Sequence, residues 1–162
     1  MCQKGFTFLE LLVVLAIIGI LSVLAVPDLT AFSNRIHLET TVRDITSDLR
    51  EMKMKAMIER DNFTISFDPE NNSYDLPGRK VYLPSQIRFG FGPGVLGPPG
   101  NPIETPEEDG ITFPSNKANF YPQGTNSMGT VYLVNNETLT MAITISITGR
   151  VRIWKWGGGI WK

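Results

Sequence analysis

A single carboxylate, Glu10, lies inside an apolar run that begins at Phe6 and continues to Val26. A charge in such a run costs on the order of 2.5 to 3.5 kcal/mol on membrane-insertion scales, so Glu10 needs a partner. If the chain were cut after Gly5, the new α-amino group of Phe6 would lie four residues before Glu10. That amine, on the same or a neighbouring subunit, would neutralise the carboxylate in a low-dielectric helix bundle. The chemistry expected here is therefore cleavage of the peptide bond after Gly5, followed by charge pairing between the new amine and the Glu10 carboxylate.

Basic and aromatic residues are concentrated at the other end of the chain. After Glu137 the sequence has no acidic side chain, but it has four cations and all three tryptophans. In an extended strand, the even-numbered residues from Arg150 to Trp156 share one face. Such a face suits DNA, through phosphate contacts and base stacking, and the candidate residues are Arg150, Arg152, Lys155, Trp154 and Trp156. The alternative is a sheet face whose tryptophans cover the core, with arginines stacked on them.

The composition limits other chemistry. The net charge of -1 gives no general attraction to nucleic acid, so only a local patch could bind it. Cys2 and His37 are the only residues of their types, which argues against thiol-ligated metals, multi-histidine sites and Ser-His-Asp catalysis. The acidic turn near Asp68 lacks EF-hand spacing, so a solvated turn is favoured over a calcium site. We expect no cofactor, no metal and no enzyme activity.

Two helical segments would position these groups. Residues 6–27 are predicted to be a transmembrane helix, since the apolar run from Phe6 to Val26 would be about 31 Å long, enough to span a bilayer, and is stopped by Pro27. Residues 28–61 keep a helical period with one apolar stripe: Leu38, Val42, Ile45, Leu49, Met52 and Ala56. The stripe predicts packing under the chain's own sheet. An intersubunit coiled coil is the alternative, although the heptads number fewer than three.

Residues 62–162 change to the period of two that is typical of strands. Strands are predicted at 63–67, 73–76, 81–83, 86–91, 111–113, 129–134, 140–148 and 150–156. In the clearest of these, Met141, Ile143, Ile145 and Ile147 fall on one face. The segment 90–114 is rich in glycine and proline and is predicted to be a long surface loop. One long helix followed by antiparallel strands predicts an α+β fold.

The segment from Gly5 to Val14, GFTFLELLVV, resembles the class III signal of type IV pilins and type II secretion pseudopilins. The resemblance covers residues 1 to about 30. It implies that a prepilin peptidase removes a leader of residues 1–5 by cutting after Gly5, and that it methylates Phe6. It also implies that Glu10 aligns the subunit with its neighbour in a helical filament. The leader in this sequence is short and has Lys4 as its one basic side chain.

Two C-terminal segments, GTVYL at 129–133 and ISITGRVRI at 145–153, resemble the C-terminal domain of the GspH/FimT group of minor pilins and pseudopilins. The combined resemblance implies a minor pseudopilin of the type II secretion pseudopilus. Such a subunit is a single-pass protein of the bacterial inner membrane, with a periplasmic domain, that joins other pilins in a filament. The alternative is a FimT-like minor pilin of a type IV pilus that binds DNA through its basic C-terminal region. A membrane-anchored β domain of unrelated function is a third interpretation.

Overall fold

The computed structural model describes residues 7–98, 108–136 and 138–162, without the side chains of 23–29 and 31. In these residues one long helix is followed by eight strands, so the α+β prediction is confirmed. The helix, α1, runs from Phe8–Glu59. The helix continues through Pro27. The two helical segments predicted at 6–27 and 28–61 are therefore one helix, which begins at Phe8 and ends at Glu59.

The chain divides into two units between Ser33 and Asn34, and α1 contributes to each. In the first unit the described apolar side chains of α1 are exposed, among them Leu11, Ile17 and Leu21. Among the described side chains, no helical segment is both long enough and apolar enough to be identified as a membrane span.

The second unit contains two four-stranded sheets in which all neighbouring strands are antiparallel. The first has the order β3-β2-β1-β5, formed by β1 (Phe63–Asp68), β2 (Ser73–Leu76), β3 (Arg79–Tyr82) and β5 (Lys117–Phe120). The second has the order β4-β6-β7-β8, formed by β4 (Ile87–Phe89), β6 (Gly129–Asn135), β7 (Thr140–Ile145) and β8 (Val151–Lys155).

The apolar stripe of α1 is buried, as the sequence predicts. All six of its members, from Leu38 to Ala56, are buried in one hydrophobic cluster. The same cluster contains apolar side chains from both sheets, such as Ile65 of β1 and Ile143 of β7. Removal of the larger of these side chains from water contributes roughly 1.5 to 3 kcal/mol each and fixes the helix against the sheets.

A buried polar contact ties the first sheet to the helix. The hydroxyl of Tyr74 donates to Asp48 Oδ2 at 2.6 Å, and Arg79 Nη2 pairs with the other carboxylate oxygen. Burial raises the pKa of the Tyr74 phenol, and the hydrogen bond to the Asp48 carboxylate raises it further. The neutral phenol therefore stays bonded to the carboxylate, and β2 and β3 are held to α1 through charged and polar groups as well as through the core.

Several strand predictions are correct in place but wrong in extent. The predicted strand 81–83 is Arg79–Tyr82, and the predicted strand 86–91 is Ile87–Phe89. The predicted strand 111–113 is wrong, since only Ile111 forms an isolated bridge, to Val131. Gly110 with a φ of 74° precedes it and a short 3-10 turn follows it, which limits its pairing with Gly129–Asn135 to this one bridge. β5 is not among the strands predicted from the sequence.

The predicted strand 140–148 ends early, at Ile145. Met141, Ile143 and Ile145 are buried as predicted, whereas Ile147 is 64% exposed. The reason is a turn that closes when the Gly149 N–H donates to the carbonyl oxygen of Ser146 at 2.8 Å. The 90–114 segment is also less exposed than predicted, because Val95 and Phe113 are buried. Its residues 99–107 lie outside the described ranges.

Candidate functional sites

The predicted processing residues, Gly5 and Phe6, lie outside the described residues. Glu10 lies in the first turn of α1. Thr7 caps this turn, because its Oγ1 accepts from the N–H of Glu10 at 3.2 Å and its carbonyl accepts from Leu11. Thr-x-x-Glu is the sequence signature of a capping box, so the cap at Thr7 is predictable from a local pattern. Glu10 is therefore also placed where a carboxylate favours the start of a helix.

The C-terminal candidates are positioned by β8 and by the turn before it. Arg150, Arg152 and Trp154 line a groove of about 340 Å³ on one face of the second sheet, which we name the outer groove. Its remaining wall comes from β6, β7 and the segments beside them: Met128, Gly129, Thr130, Thr144, Ile145, Ser146 and Thr148. The groove combines two exposed guanidinium groups with several hydroxyl-bearing residues, which suits an anionic ligand.

A lysine from the helix fixes the turn that presents Arg150. Lys53 Nζ donates to the carbonyl oxygens of Thr148, at 3.1 Å, and Gly149, at 3.3 Å. Gly149 has a φ of 77°, a left-handed conformation that glycine adopts without strain. A Cβ at this position would lie 2.5 Å from Lys53 Cε. No local sequence pattern indicates this contact, since Lys53 and Thr148 are 95 residues apart.

Trp154 is held by two contacts within the sheet. Its Nε1 donates to Thr144 Oγ1 at 2.9 Å, and the guanidinium carbon of Arg152 lies 5.9 Å from the centre of its ring. The second contact is the cation–π stacking that the alternative interpretation of this face predicts. Arg152 therefore supports the tryptophan while it lines the outer groove.

The other two candidates are not in the outer groove. Lys155 extends to the helix side and lies 3.5 Å from Glu39 Oε1. Arg35 also bonds to Glu39, at 3.2 Å, and this hydrogen bond is the main reason that the pKa of Glu39 is lowered. Three of the five predicted residues are thus brought together.

Trp156 belongs to a small aromatic cluster that covers the outer side of the second sheet. Its ring meets that of Trp161 edge-on at 5.1 Å, and Trp161 lies 6.0 Å from Tyr132. The Nε1 of Trp161 donates to the carbonyl oxygen of Leu96 at 2.7 Å. Burial raises the pKa of Tyr132. These contacts give Trp156 a packing role.

The acidic turn after β1 is occupied by the chain's own groups. Asn71 donates to Asp68 through its backbone N–H and its side chain, and this bonding lowers the pKa of Asp68. Lys80 Nζ lies 3.6 Å from Asp68 and 3.8 Å from Asp75. Within the described ranges, no three possible metal-ligating side chains are grouped together.

The sequence is similar to known proteins over part of its length. The prokaryotic N-terminal methylation motif matches residues 1–26. Two fimbrial proteins of Pseudomonas aeruginosa are each 34% identical over 74 residues, which is 46% of this chain and 47% of the relative. The chain therefore spans about half the length of the curated relatives it matches.

A solved structure shares the fold. The minor pseudopilin EpsH from the type 2 secretion system of Vibrio cholerae superposes with a TM-score of 0.51, over 72% of this chain and 95% of that one, at 12% identity. At this identity the likeness shows the fold alone. The methylation motif, the fimbrial relatives and the pseudopilin fold agree with one another: the chain is similar to type IV pilins in its N-terminal motif and to a minor pseudopilin in its fold.

Proposed function

We propose that the protein is a minor pseudopilin, a non-catalytic structural subunit of a type II secretion pseudopilus. The observation that carries the proposal is the combination of the methylation motif at residues 1–26 with a β domain that has the fold of a minor pseudopilin. Fimbrial relatives leave the pilus as the competing filament. A secretion filament is favoured by the agreement over most of the EpsH chain.

In this proposal the chain is inserted in the inner membrane by its apolar N-terminal segment, with the β domain in the periplasm. A prepilin peptidase cuts after Gly5 and methylates Phe6. Glu10 then pairs with the N-terminal amine of a neighbouring pilin, which removes the cost of an unpaired carboxylate in an apolar helix bundle. The capping contact at Thr7 is compatible with this role, because it uses the backbone N–H of Glu10 and leaves the carboxylate available.

Deletion of the gene in the native host tests the choice of filament. A pseudopilus subunit is expected to be needed for release of type II secretion substrates into the medium, while surface pili and twitching remain normal. Complementation with the intact gene restores secretion. Loss of pili with normal secretion would assign the subunit to a type IV pilus instead.

The second candidate function is that of a type IV minor pilin that binds DNA. It is supported by the outer groove, in which Arg150 and Arg152 are exposed and lie on the same side of β8. Lys155 and Trp156 are engaged elsewhere, so we assign the proposed phosphate contacts to the two arginines alone.

If the DNA-binding alternative is correct, Arg150→Ala with Arg152→Ala is expected to remove most binding. Two phosphate contacts give a slope of about -2 for the logarithm of affinity against the logarithm of salt concentration. Gel-shift titrations of the full chain in detergent, at two salt concentrations, measure both quantities. Trp156→Ala is the control and is expected to lower the melting temperature with little change in DNA affinity, because its ring packs against Trp161. Absence of a shift at low salt would eliminate this alternative.

A further inference from the structure

The outer edge of β8 is incompletely paired. β8 is the last strand of its sheet, and Trp156 N–H donates to Thr140 while Arg150 accepts from Ser146. Even-numbered residues therefore direct their main-chain groups to β7, and in an antiparallel ladder the intervening residues direct theirs to the other side. On that side Lys155 exchanges two hydrogen bonds with Lys162, at 2.8 and 3.0 Å. In the described part of the chain, no strand pairs with the same edge at Val151 and Ile153.

This edge lies between two grooves. The outer groove, with Arg150, Arg152 and Trp154, is on one face of β8. A second groove of about 460 Å³, which we name the inner groove, lies on the helix side and is lined by Glu39, Val42, Arg43, Arg50, Met141 and Ile153. Side chains of a strand alternate between the two faces of a sheet. A strand added beside β8 would therefore place alternate side chains in the two grooves.

The arginines that line the two grooves have no carboxylate partner among the described residues. Arg43, Arg50, Arg150 and Arg152 are exposed, and none has a carboxylate within ion-pair distance among the described residues. The single carboxylate of the inner groove, Glu39, is already bonded to Arg35 and Lys155. The floor of the inner groove is apolar, with Val42 and Met141 buried and Ile153 38% exposed.

We propose that the edge of β8 binds, by β-strand addition, an extended segment of a neighbouring subunit in which acidic and apolar side chains alternate. The main-chain groups of Val151 and Ile153 supply the hydrogen bonds, and the two grooves select the side chains. Acidic residues face Arg150 and Arg152, and apolar residues face Val42, Met141 and Ile153. Lys162 already pairs with this edge, which shows that it accepts an extended segment. The neighbouring subunit as source of the strand rests on the proposed function, whereas the chemistry of the site does not.

A peptide of defined pattern tests the site without any filament. The probe is a fluorescent, N-acetylated and C-amidated (Glu-Val)3 peptide, titrated with the full chain in detergent and followed by anisotropy. Saturable binding is expected, with no binding of the (Lys-Val)3 peptide, because the arginines repel it. In an antiparallel addition the valines lie opposite Val151 and Ile153. N-methylation of the valines should therefore abolish binding, and N-methylation of the glutamates should leave it unchanged.

Two proline variants of the chain provide a test of the binding edge and its matched control. Ile153→Pro removes an N–H that points away from β7, at the free edge of the sheet. The fold is therefore expected to be retained, while peptide affinity falls by about tenfold or more. Tyr82→Pro makes the same change on the free edge of β3, where Leu83 and not Tyr82 donates to β2, and it is expected to leave peptide affinity unchanged. If Ile153→Pro fails to fold, the methylated peptides still decide the question.

The contrary results are distinct from failure of the proposed function. Equal affinity for the glutamate and lysine peptides, no effect of valine methylation, or no binding at all would show that the charges only keep the edge from pairing. A further contrary result is that a single-stranded oligonucleotide displaces the peptide and that Ile153→Pro does not change the oligonucleotide affinity. That result would assign the arginines to nucleic-acid binding instead. None of these results alters the expected processing at Gly5 or the secretion phenotype.

Discussion

Replacing Glu10 with leucine is expected to abolish incorporation of the subunit into a filament, while membrane insertion stays intact or improves. Insertion improves because a carboxylate in an apolar segment costs about 2.5 to 3.5 kcal/mol and leucine removes that cost. Assembly is lost because the N-terminal amine of the neighbouring helix is left without its counter-charge. Membrane fractionation measures the first effect, and recovery of the subunit in sheared filaments measures the second.

The capping contact at the start of α1 supplies the control for that experiment. Thr7→Val removes the side chain that accepts from the N–H of Glu10, at a cost of about 1 kcal/mol to the helix start, and retains the carboxylate. We expect Thr7→Val to assemble almost normally. If Thr7→Val and Glu10→Leu have equal defects, Glu10 acts through the helix start; if Glu10→Leu assembles at normal levels, it is not an assembly contact.

Replacing Gly110 with alanine is expected to destabilise the β domain by about 3 kcal/mol or more. Gly90 and Gly110 approach each other over β6, since the N–H of Gly90 donates to the Tyr132 carbonyl and Gly110 accepts from the Tyr132 N–H. A Cβ on Gly110 would overlap the backbone nitrogen of Gly90 and lie 2.5 Å from its Cα. Since the obstacle is backbone, relief requires movement of the whole segment. Denaturant unfolding of the full chain in detergent measures the change.

Gly94→Ala separates the effect of space from the effect of backbone conformation. Gly94 has a φ of 72° and Gly110 a φ of 74°, but a Cβ on Gly94 meets no atom within 4 Å. We therefore expect Gly94→Ala to cost only the left-handed strain, about 1 to 2 kcal/mol. Equal losses for the two variants would mean that the close approach of Gly90 and Gly110 contributes nothing to stability.

The helix and most strands could be predicted because their signals are local. The stripe from Leu38 to Ala56 has helical spacing, and Met141, Ile143 and Ile145 alternate as a strand does, so burial of one face follows directly. β5 has a weak sequence signal, because only Ala118 and Phe120 of its residues are buried and apolar. The position of Ile147 fits the alternation of the strand, but the turn closed by Gly149 removes this residue from the sheet.

The C-terminal site could be predicted only in part. Alternation along one strand places Arg150, Arg152 and Trp154 together, and the structure agrees. The charge of Lys155 makes it a candidate, but its odd position directs its side chain to the helix, where it pairs with Glu39. Neither that partner nor Lys53 is near β8 in the sequence, so these contacts depend on tertiary structure. The Thr7 cap, by contrast, was readable from the Thr-x-x-Glu pattern.

The mass of the intact protein extracted from membranes of the native host shows whether the chain is processed as a filament subunit. A processed filament subunit is expected to have the mass of a chain that begins at Phe6 and carries one N-terminal methyl group. That result requires both cleavage after Gly5 and methylation of the amine that is proposed to pair with Glu10. A mature chain that retains Met1, or one that begins after Ala25 as a conventionally cleaved secretory protein would, contradicts the account.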